Sequence, residues 1–280
     1  MGGEGWGVRD GVRDGGRALR ADLSAGSLGE DGVRQFRYLT CLLFKEGTRT
    51  QRYVVFADSH RHQQYPDRRA AGLELASRLT GYRGHADVVV LALPRGGVPV
   101  AHEIARELGA PLDVFLVRKL GVPGHSELAM GAIASGGVRV LNNDVVSWYG
   151  LTPAIIDQVA AMEQLELERR EQEYREGQAP LDLRDRTVIL VDDGLATGST
   201  MKAAAQAVRA QAPARIVVAV PVGAADTCRS FAGIVDEVVC ARTPEPFSAV
   251  GLWYRDFSQT TDDEVRELLQ QHRAPAGGQP

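Results

Sequence analysis

The sequence predicts an α/β protein built on a doubly wound, mainly parallel sheet. Short apolar runs recur along the chain, and Val188–Val191 is typical of a strand that is buried on both faces. Segments with helical apolar spacing alternate with these runs from residue 67 onward. Small-residue turns link strand to helix at residues 94–97 and 194–198. Repeated β–α units of this kind imply right-handed crossovers, which place the strands parallel in one sheet.

Each predicted element follows from apolar spacing and from local start and stop signals. The apolar positions of residues 68–79 share one face of a helix, which Gly81 stops. Thr152 before Pro153 marks the start of a long charged helix. The predicted order is a helix over 68–79, a strand over 88–93, a helix containing 101–108, a strand over 112–117, a hairpin of 132–134 with 138–141, a helix over 153–177, a strand over 187–191, a helix over 199–211, strands over 215–220 and 237–240, and a last helix capped by Asp262 and Asp263.

Composition is that of a soluble cytoplasmic protein. The 280 residues are enough for one large domain or two small ones, and the formal net charge of −4 gives no basic footprint for nucleic acid or an anionic membrane. No apolar run is long enough to cross a bilayer, and no secretory signal is visible at the amino terminus. Cys41, Cys228 and Cys240 are odd in number and far apart, which indicates reduced thiols.

The composition of the chain changes near residue 65. Residues 1–65 are rich in glycine and arginine, and only residues 38–44 and 53–56 look capable of forming strands. We therefore expect a poorly ordered extension, because few apolar residues are available to offset its ordering entropy. Residues 66–273 form the predicted domain, and residues 274–280 a frayed tail.

The strongest motif begins where the apolar run Val188–Val191 ends in Asp192 and Asp193, the acid pair. Residues 194–198, the Thr-Gly loop, then open a helix whose first N–H groups attract phosphate, and Gly198 permits close backbone approach. Hydroxyl donors come from Thr197, Ser199 and Thr200. Carboxylates suit ribose hydroxyls, or a magnesium ion bound to them, so the motif predicts a site for a phosphorylated sugar. The alternative is an ordinary strand-to-helix turn with solvated acidic caps.

A second turn, residues 94–97, is the Gly-Gly loop. It leaves a buried strand and enters a helix, so Gly96 and Gly97 can expose N–H groups to a second anion while Arg95 adds charge. Alone, a Gly-Gly turn after a strand is structural more often than not, and it is the pairing with the first motif that favours an anion site here. The carboxyl ends of parallel strands meet at one sheet edge, where ligands of doubly wound proteins bind, and both motifs lie there.

A third group of charged residues follows the strand predicted at 112–117. Arg118 and Lys119 end that strand, which we expect beside the strand that precedes Arg95. The loop that departs has Glu127 as its only acid, which makes Glu127 a candidate for handling the proton of an acceptor. His125 could share that work. The alternative for the two cations is a charged strand end exposed to solvent.

Residues 188–201 closely resemble the PRPP-binding signature of the type I phosphoribosyltransferases, PRPP being phosphoribosyl pyrophosphate. In that family a hydrophobic strand ends in two acidic residues, and the loop closes with Thr-Gly and a hydroxyl residue. The span from residue 67 to about 269 most resembles bacterial phosphoribosyltransferase-like proteins whose acceptor is not established. The resemblance implies a transferase that moves a 5-phosphoribosyl group from PRPP to a small nitrogenous acceptor, releases pyrophosphate and uses Mg²⁺.

The resemblance also implies roles for individual residues. The Gly-Gly loop (Arg95, Gly96, Gly97), with Arg118 or Lys119, would hold magnesium pyrophosphate, and a mobile loop containing Glu127 would close over the substrates. Asp192 and Asp193 would hold the ribose and, through its hydroxyls or water, the metal. The 5′-phosphate would contact Leu195, Ala196, Thr197, Gly198, Ser199 and Thr200. Residues 243–261 would form a small carboxyl-terminal hood in which Trp253, Tyr254 and Phe257 either stack on the acceptor or pack the end of the sheet.

One position departs from part of the family. Members that salvage hypoxanthine and guanine place an acid directly before the threonine of the motif, whereas this chain has Ala196 there. The local sequence is more similar to the adenine-salvage branch, although nothing in the hood indicates adenine. Two other classes stay open: a regulator that binds PRPP or nucleotides without turnover, and a phosphatase or hydrolase acting on a phosphorylated ribose. The oligomeric state is also open, with a homodimer as one candidate.

Overall fold

The computed structural model describes residues 9–13, 16–23, 38–46, 49–57 and 63–272. Nine strands form one sheet in the order β1-β2-β3-β4-β12-β11-β10-β5-β6. Its strands are β1 (Arg9–Arg13), β2 (Gly16–Leu23), β3 (Tyr38–Glu46), β4 (Arg49–Ala57), β5 (Val88–Ala92), β6 (Leu112–Val114), β10 (Thr187–Val191), β11 (Arg215–Val222) and β12 (Glu237–Arg242). The helices are α1 (Arg68–Ser77), α2 (Gly97–Leu108), α3 (Asn143–Trp148), α4 (Pro153–Arg175), α5 (Ser199–Arg209), α6 (Ala225–Arg229) and α7 (Asp262–Gln270).

The centre of the sheet is parallel and covered on both faces. β10 pairs in parallel with β5 and β11, and every residue of β5 and β10 is buried. Alternate strand side chains pack with α1, α2, α4 and α7 on one face and with α5 and α6 on the other. Because successive strand residues point to opposite faces, fully apolar strands are required here. The prediction of a doubly wound, mainly parallel sheet is confirmed.

A second sheet corrects the prediction for Arg118 and Lys119. The strand beside β5 stops at Val114, and β7 (Val117–Val122) starts a separate antiparallel sheet with β8 (His125–Ala134) and β9 (Val138–Leu141). The two cations therefore lie early in β7 and do not end the strand next to β5. Two hydrogen bonds to Leu116 hold the chain where it passes from β6 to β7. The Ser135 N–H donates to the Leu116 carbonyl, and the Ser135 hydroxyl oxygen accepts from the Leu116 N–H.

The segment predicted as a mobile loop is largely a hairpin. β7 and β8 pair up to Val122 and His125, and Gly124 forms the turn with a φ of 79° that favours glycine. Leu120 and Val122 are buried on the side of β7 that faces the core. The two buried residues are separated by the half-buried Gly121, which is the two-residue spacing of a strand and not of a loop.

Four strands lie in the amino-terminal extension that was predicted to be poorly ordered. β3 and β4 cover the two segments judged capable of forming strands, and β4 pairs in parallel with β12. β1 and β2 were not predicted. The boundary near residue 65 remains a prediction.

Local capping explains most helix boundaries. The Thr152 hydroxyl accepts a hydrogen bond from Ile155 N at the start of α4, as predicted from Thr152-Pro153. In α7 the cap is Thr261, not Asp262 or Asp263, which lie in the first turn. In the part of the chain that the structure describes, no helix is long and apolar enough to cross a membrane.

Two cysteines depart from the prediction of reduced thiols. The sulfurs of Cys228 in α6 and Cys240 in β12 are bonded, and both residues are buried. Their Cα atoms lie 6.8 Å apart. This proximity is set by the tertiary fold and was not visible in the spacing along the chain.

Candidate functional site

The Thr-Gly loop presents unused backbone donors at the start of α5. Gly198 is the N-cap, with a left-handed φ of 72°. Leu195 N donates to Val222 O and Lys202 N donates to Gly198 O, but the N–H groups of residues 196–201 between them donate to none of the described residues. The predicted free N–H groups of Thr197 and Gly198 are thus confirmed. A helix start with unpaired donors carries partial positive charge and suits an anion.

Leu195 anchors this loop and is not itself free to donate. Its side chain is buried in the core, its N–H is used, and its carbonyl accepts from Ala224 N at 3.0 Å. By contrast, Ala196, Thr197, Ser199 and Thr200 are exposed. A ligand can therefore reach this stretch through residues 196, 197, 199 and 200, but not through the side chain or N–H of Leu195.

Helix α6 supports the loop from behind. The Thr227 hydroxyl donates to the carbonyl oxygen of Ala196 at 2.6 Å. A Cβ atom added to Gly198 would lie 2.8 Å from Thr227 Cγ2 and 3.2 Å from Phe231 Cε2. Both the backbone conformation and the contact with α6 therefore require glycine at position 198.

The acid pair lies directly after β10, at the same sheet edge. The Asp192 carboxylate accepts from Asp193 N at 2.8 Å, and Arg68 Nε donates to Asp193 Oδ2 at 2.8 Å. Burial and the neighbouring Asp193 charge raise the pKa of Asp192 well above its ordinary value. Burial also raises the pKa of Asp193, although the Arg68 hydrogen bond and charge oppose that shift. Among the described residues, Asp192 has no ion-pair partner.

The Gly-Gly loop packs against the acid pair. A Cβ atom added to Gly96 would overlap the Asp193 carboxylate, and one added to Gly97 would lie 2.8 Å from Val191 O. The Pro94–Arg95 peptide is cis, and the N–H groups of Arg95 and Gly96 donate to no residue within the described ranges. Arg95 Nη1 lies 3.6 Å from Asp262 Oδ2 of α7. The structure thus brings the two glycine loops and both carboxylates together, as the sequence predicted.

The cations of β7 are arranged differently. Arg118 forms ion pairs with Glu163 and Glu166 of α4, on the side of β7 that carries Leu120. Neighbouring strand residues point to opposite faces, so the exposed Lys119 projects away from α4. The two cations cannot hold one anion together from this strand. The backbone of Glu127 lies in β8, and its side chain is outside what the structure describes.

The hood contributes packing at the acid pair. Tyr254 is buried, its ring centroid lies 5.6 Å from that of Tyr65, and its hydroxyl donates to Asp193 O at 2.6 Å. This geometry favours the packing interpretation for Tyr254. Trp253 is half-buried, and its indole N–H has no hydrogen-bond partner in the described part of the chain. Phe257 is exposed by 38% and lies under the Arg68 guanidinium.

Arg68 lies at the candidate site, although the sequence analysis did not predict it there. It lies in the first turn of α1, 125 positions before Asp193 in the chain. Its surroundings in the sequence show only a helix start, with Asp67 as the cap. No local pattern could connect it to the acid pair, because the contact depends on how α1 crosses the sheet.

These elements define a class: a doubly wound α/β protein whose sheet edge carries two anion-receptive glycine loops around a pair of carboxylates. The phosphoribosyl transferase domain family matches residues 63–229, and the chain belongs to that family.

Individual relatives agree with this assignment. The chain is 53% identical over 205 residues to a protein of Mycobacterium tuberculosis (strain H37Rv) named "Putative phosphoribosyl transferase"; the match covers 73% of this chain and 46% of the relative. It thus spans about half the length of that relative. The Chloroflexus aurantiacus protein named "Bifunctional protein PyrR" is 33% identical over 129 residues, 45% of this chain and 65% of that protein. The crystal structure of TT1426 from Thermus thermophilus superimposes with a TM-score of 0.68 at 40% identity, covering 76% of this chain and all of that one.

Proposed function

We propose that the chain transfers a 5-phosphoribosyl group from PRPP to a small nitrogenous acceptor and releases pyrophosphate. The observation that carries this proposal is the row of unpaired N–H groups at residues 196–201, which begins three residues after the acid pair. A phosphate site alone needs no carboxylates beside it, because they repel a dianion. A phosphorylated sugar needs both the free N–H groups and the carboxylates, since its phosphate requires donors and its hydroxyls require acceptors.

The phosphate end of PRPP fits the Thr-Gly loop. The unpaired N–H groups and the hydroxyls of Thr197, Ser199 and Thr200 supply donors for the 5′-phosphate oxygens. The start of α5 adds the favourable end of the helix dipole. Gly198 lets the loop pack closely against Thr227 and Phe231, and the Thr227 hydroxyl holds the Ala196 carbonyl from behind.

The acid pair would hold the ribose. Asp192 and Asp193 offer carboxylate oxygens that accept hydrogen bonds from two sugar hydroxyls. The pKa of Asp192 is raised because its charge is desolvated beside a second acid, so a hydroxyl donor or a cation there relieves an unfavourable charge. These oxygens also fit Mg²⁺ chemically, through the hydroxyls or water. When bound, Mg²⁺ would neutralise pyrophosphate charge and so favour its departure.

The transfer breaks the bond between the sugar C1 and the pyrophosphate oxygen and forms a bond from C1 to a nitrogen of the acceptor. Negative charge grows on the departing pyrophosphate, and the free N–H groups of Arg95 and Gly96 with the Arg95 guanidinium would stabilise it. Positive charge grows on the sugar ring close to the acid pair. Ala196 carries no acid, so the acceptor proton must leave by another route.

The test is a screen of PRPP with purines, pyrimidines and other amines in the presence of Mg²⁺, with pyrophosphate release as the readout. We expect release with at least one acceptor, and we expect it to vanish in Asp193→Asn. PRPP binding without release across the panel would favour a regulator. Release of inorganic phosphate from ribose phosphates would favour a hydrolase, and absence of PRPP binding would refute the proposal.

A further inference from the structure

Arg68 joins three parts of the candidate site. Its Nε donates to Asp193 Oδ2 at 2.8 Å, and its Nη1 donates to Ser258 O in the hood at 2.7 Å. Its guanidinium carbon lies 3.9 Å from the Phe257 ring centroid. A Cβ atom on Gly96 would lie 3.3 Å from Arg68 Nε, so the Gly-Gly loop borders the same group.

These contacts are made by a side chain that is only 11% exposed. Ion pairs between exposed side chains contribute little, because water screens them and both side chains lose freedom. A planar guanidinium held by a carboxylate, a carbonyl and an aromatic face is fixed in orientation, and lysine cannot reproduce that fork. Arg68 is therefore built into the site and is not a solvated surface charge.

We infer that Arg68 is a positioning residue that orients the Asp193 carboxylate and fastens the hood to the acid pair. The inference rests on the function proposed above. Arg68 takes one Asp193 oxygen and leaves the other for the ligand, while Tyr254 holds the Asp193 carbonyl. The hood segment around Ser258, which borders the acceptor side in the proposed function, is thereby placed relative to the ribose.

The two acids consequently differ. Asp193 carries a bonded guanidinium, whereas Asp192 is bonded only by the N–H of Asp193 among the residues that the structure describes. The guanidinium charge disfavours a divalent cation on Asp193 itself. We assign to Asp193 the task of a fixed hydroxyl acceptor and to Arg68 that of setting its direction.

The experiment compares Arg68→Gln and Arg68→Lys with Arg69→Gln as the matched control. Arg69 is the next residue of α1 and pairs with Glu103, away from the acid pair. Two quantities are measured: hydrogen exchange of the hood peptide 250–261 without ligand, and calorimetric affinity for PRPP with Mg²⁺ and for inorganic phosphate.

We expect Arg68→Gln to speed hood exchange roughly tenfold and to weaken PRPP binding roughly 10- to 100-fold, because bonds from a charged donor are lost. Phosphate affinity should change less than about twofold, since the Thr-Gly loop is untouched. Arg68→Lys should recover part of the PRPP affinity through its charge, but it should leave hood exchange fast because it cannot bridge both partners.

Results for Arg68→Gln and Arg68→Lys that match those for Arg69→Gln in both measurements would overturn the inference. Equal losses of PRPP and phosphate affinity would also overturn it, since they would indicate general destabilisation. If the unaltered protein binds phosphate but not PRPP, the proposed function fails by itself. Hood exchange would then still decide whether Arg68 fastens the hood.

Discussion

At the scale of single residues, the acid pair places an unfavourable charge at the candidate site. Asp192 is desolvated beside a second carboxylate and has no bonded cation in the described chain. Its folded-state pKa is raised, so its favourable contribution to stability is present at low pH and is lost as the pH rises through that value. The folded protein therefore bears a stability cost at neutral pH that a ligand hydroxyl or cation would relieve.

We expect Asp192→Asn to raise the melting temperature at pH 8 by on the order of a few degrees. The amide oxygen still accepts from Asp193 N, but the partly desolvated charge is gone. The difference from the unaltered protein should shrink as the pH falls, because Asp192 then becomes protonated and neutral. Thermal melts over a pH series check this, and a variant that melts lower at pH 8 would contradict it.

In the proposed function, Asp193 would contact the sugar and not the 5′-phosphate. Asp193→Asn should weaken PRPP binding roughly tenfold or more while leaving inorganic phosphate within about twofold, because phosphate reaches only the Thr-Gly loop. Titrations of both ligands, each with and without Mg²⁺, supply the measurement. Equal losses for the two ligands would mean that the carboxylate only shapes the loop.

At the scale of elements, α6 supports the Thr-Gly loop, although no sequence motif marks this helix. Its five residues are too short to show a helical period, yet Thr227 bonds the loop carbonyl of Ala196. The sheet edge therefore depends on a segment that lies outside the recognised motif. The support acts on the loop as a whole and should affect every ligand that binds there.

Thr227→Val removes the hydroxyl but keeps a methyl group against Gly198. We expect it to weaken PRPP and inorganic phosphate equally, by roughly 2- to 10-fold, because one ordinary hydrogen bond is lost. Ser230→Ala is the control, since the Ser230 hydroxyl donates to the Thr227 carbonyl and, among the described residues, to no atom of the Thr-Gly loop. A selective loss for PRPP, or an equal effect of Ser230→Ala, would contradict the assignment.

The elements also show what the sequence could predict. β10 and α4 were placed correctly because their signals are local: an uninterrupted apolar run, and a threonine cap before proline. Both glycine loops and the acid pair could be found for the same reason. β7 was misplaced because Gly121 within it, and Pro123 and Gly124 directly after it, are typical of a loop. Arg68 was missed because its partners lie 125 and 190 positions away, and only the packing of α1 brings them together.

At the scale of the whole molecule, the family domain and the extension are distinct in the sequence and joined in the sheet. The family match begins at residue 63, and 76% of this chain accounts for the whole of the Thermus thermophilus structure. A related domain therefore folds without a counterpart to about a quarter of this chain. Within the described strands, β4 nevertheless pairs with the edge of β12, which lies two strands from β10 and the acid pair.

We expect a chain that begins at Gln63 to melt within about 2 °C of the full chain and to bind PRPP equally well. Gln63 is kept because its carbonyl accepts a hydrogen bond from Arg242 at the end of β12. Removing β4 exposes one edge of a sheet whose central strands stay buried, and a few lost edge bonds exchange with water at small net cost. Thermal melts and calorimetry of both chains provide the check. A drop of several degrees with unchanged PRPP affinity would show that β4 stabilises the domain, and a loss of affinity at an unchanged melting temperature would extend the site to the extension.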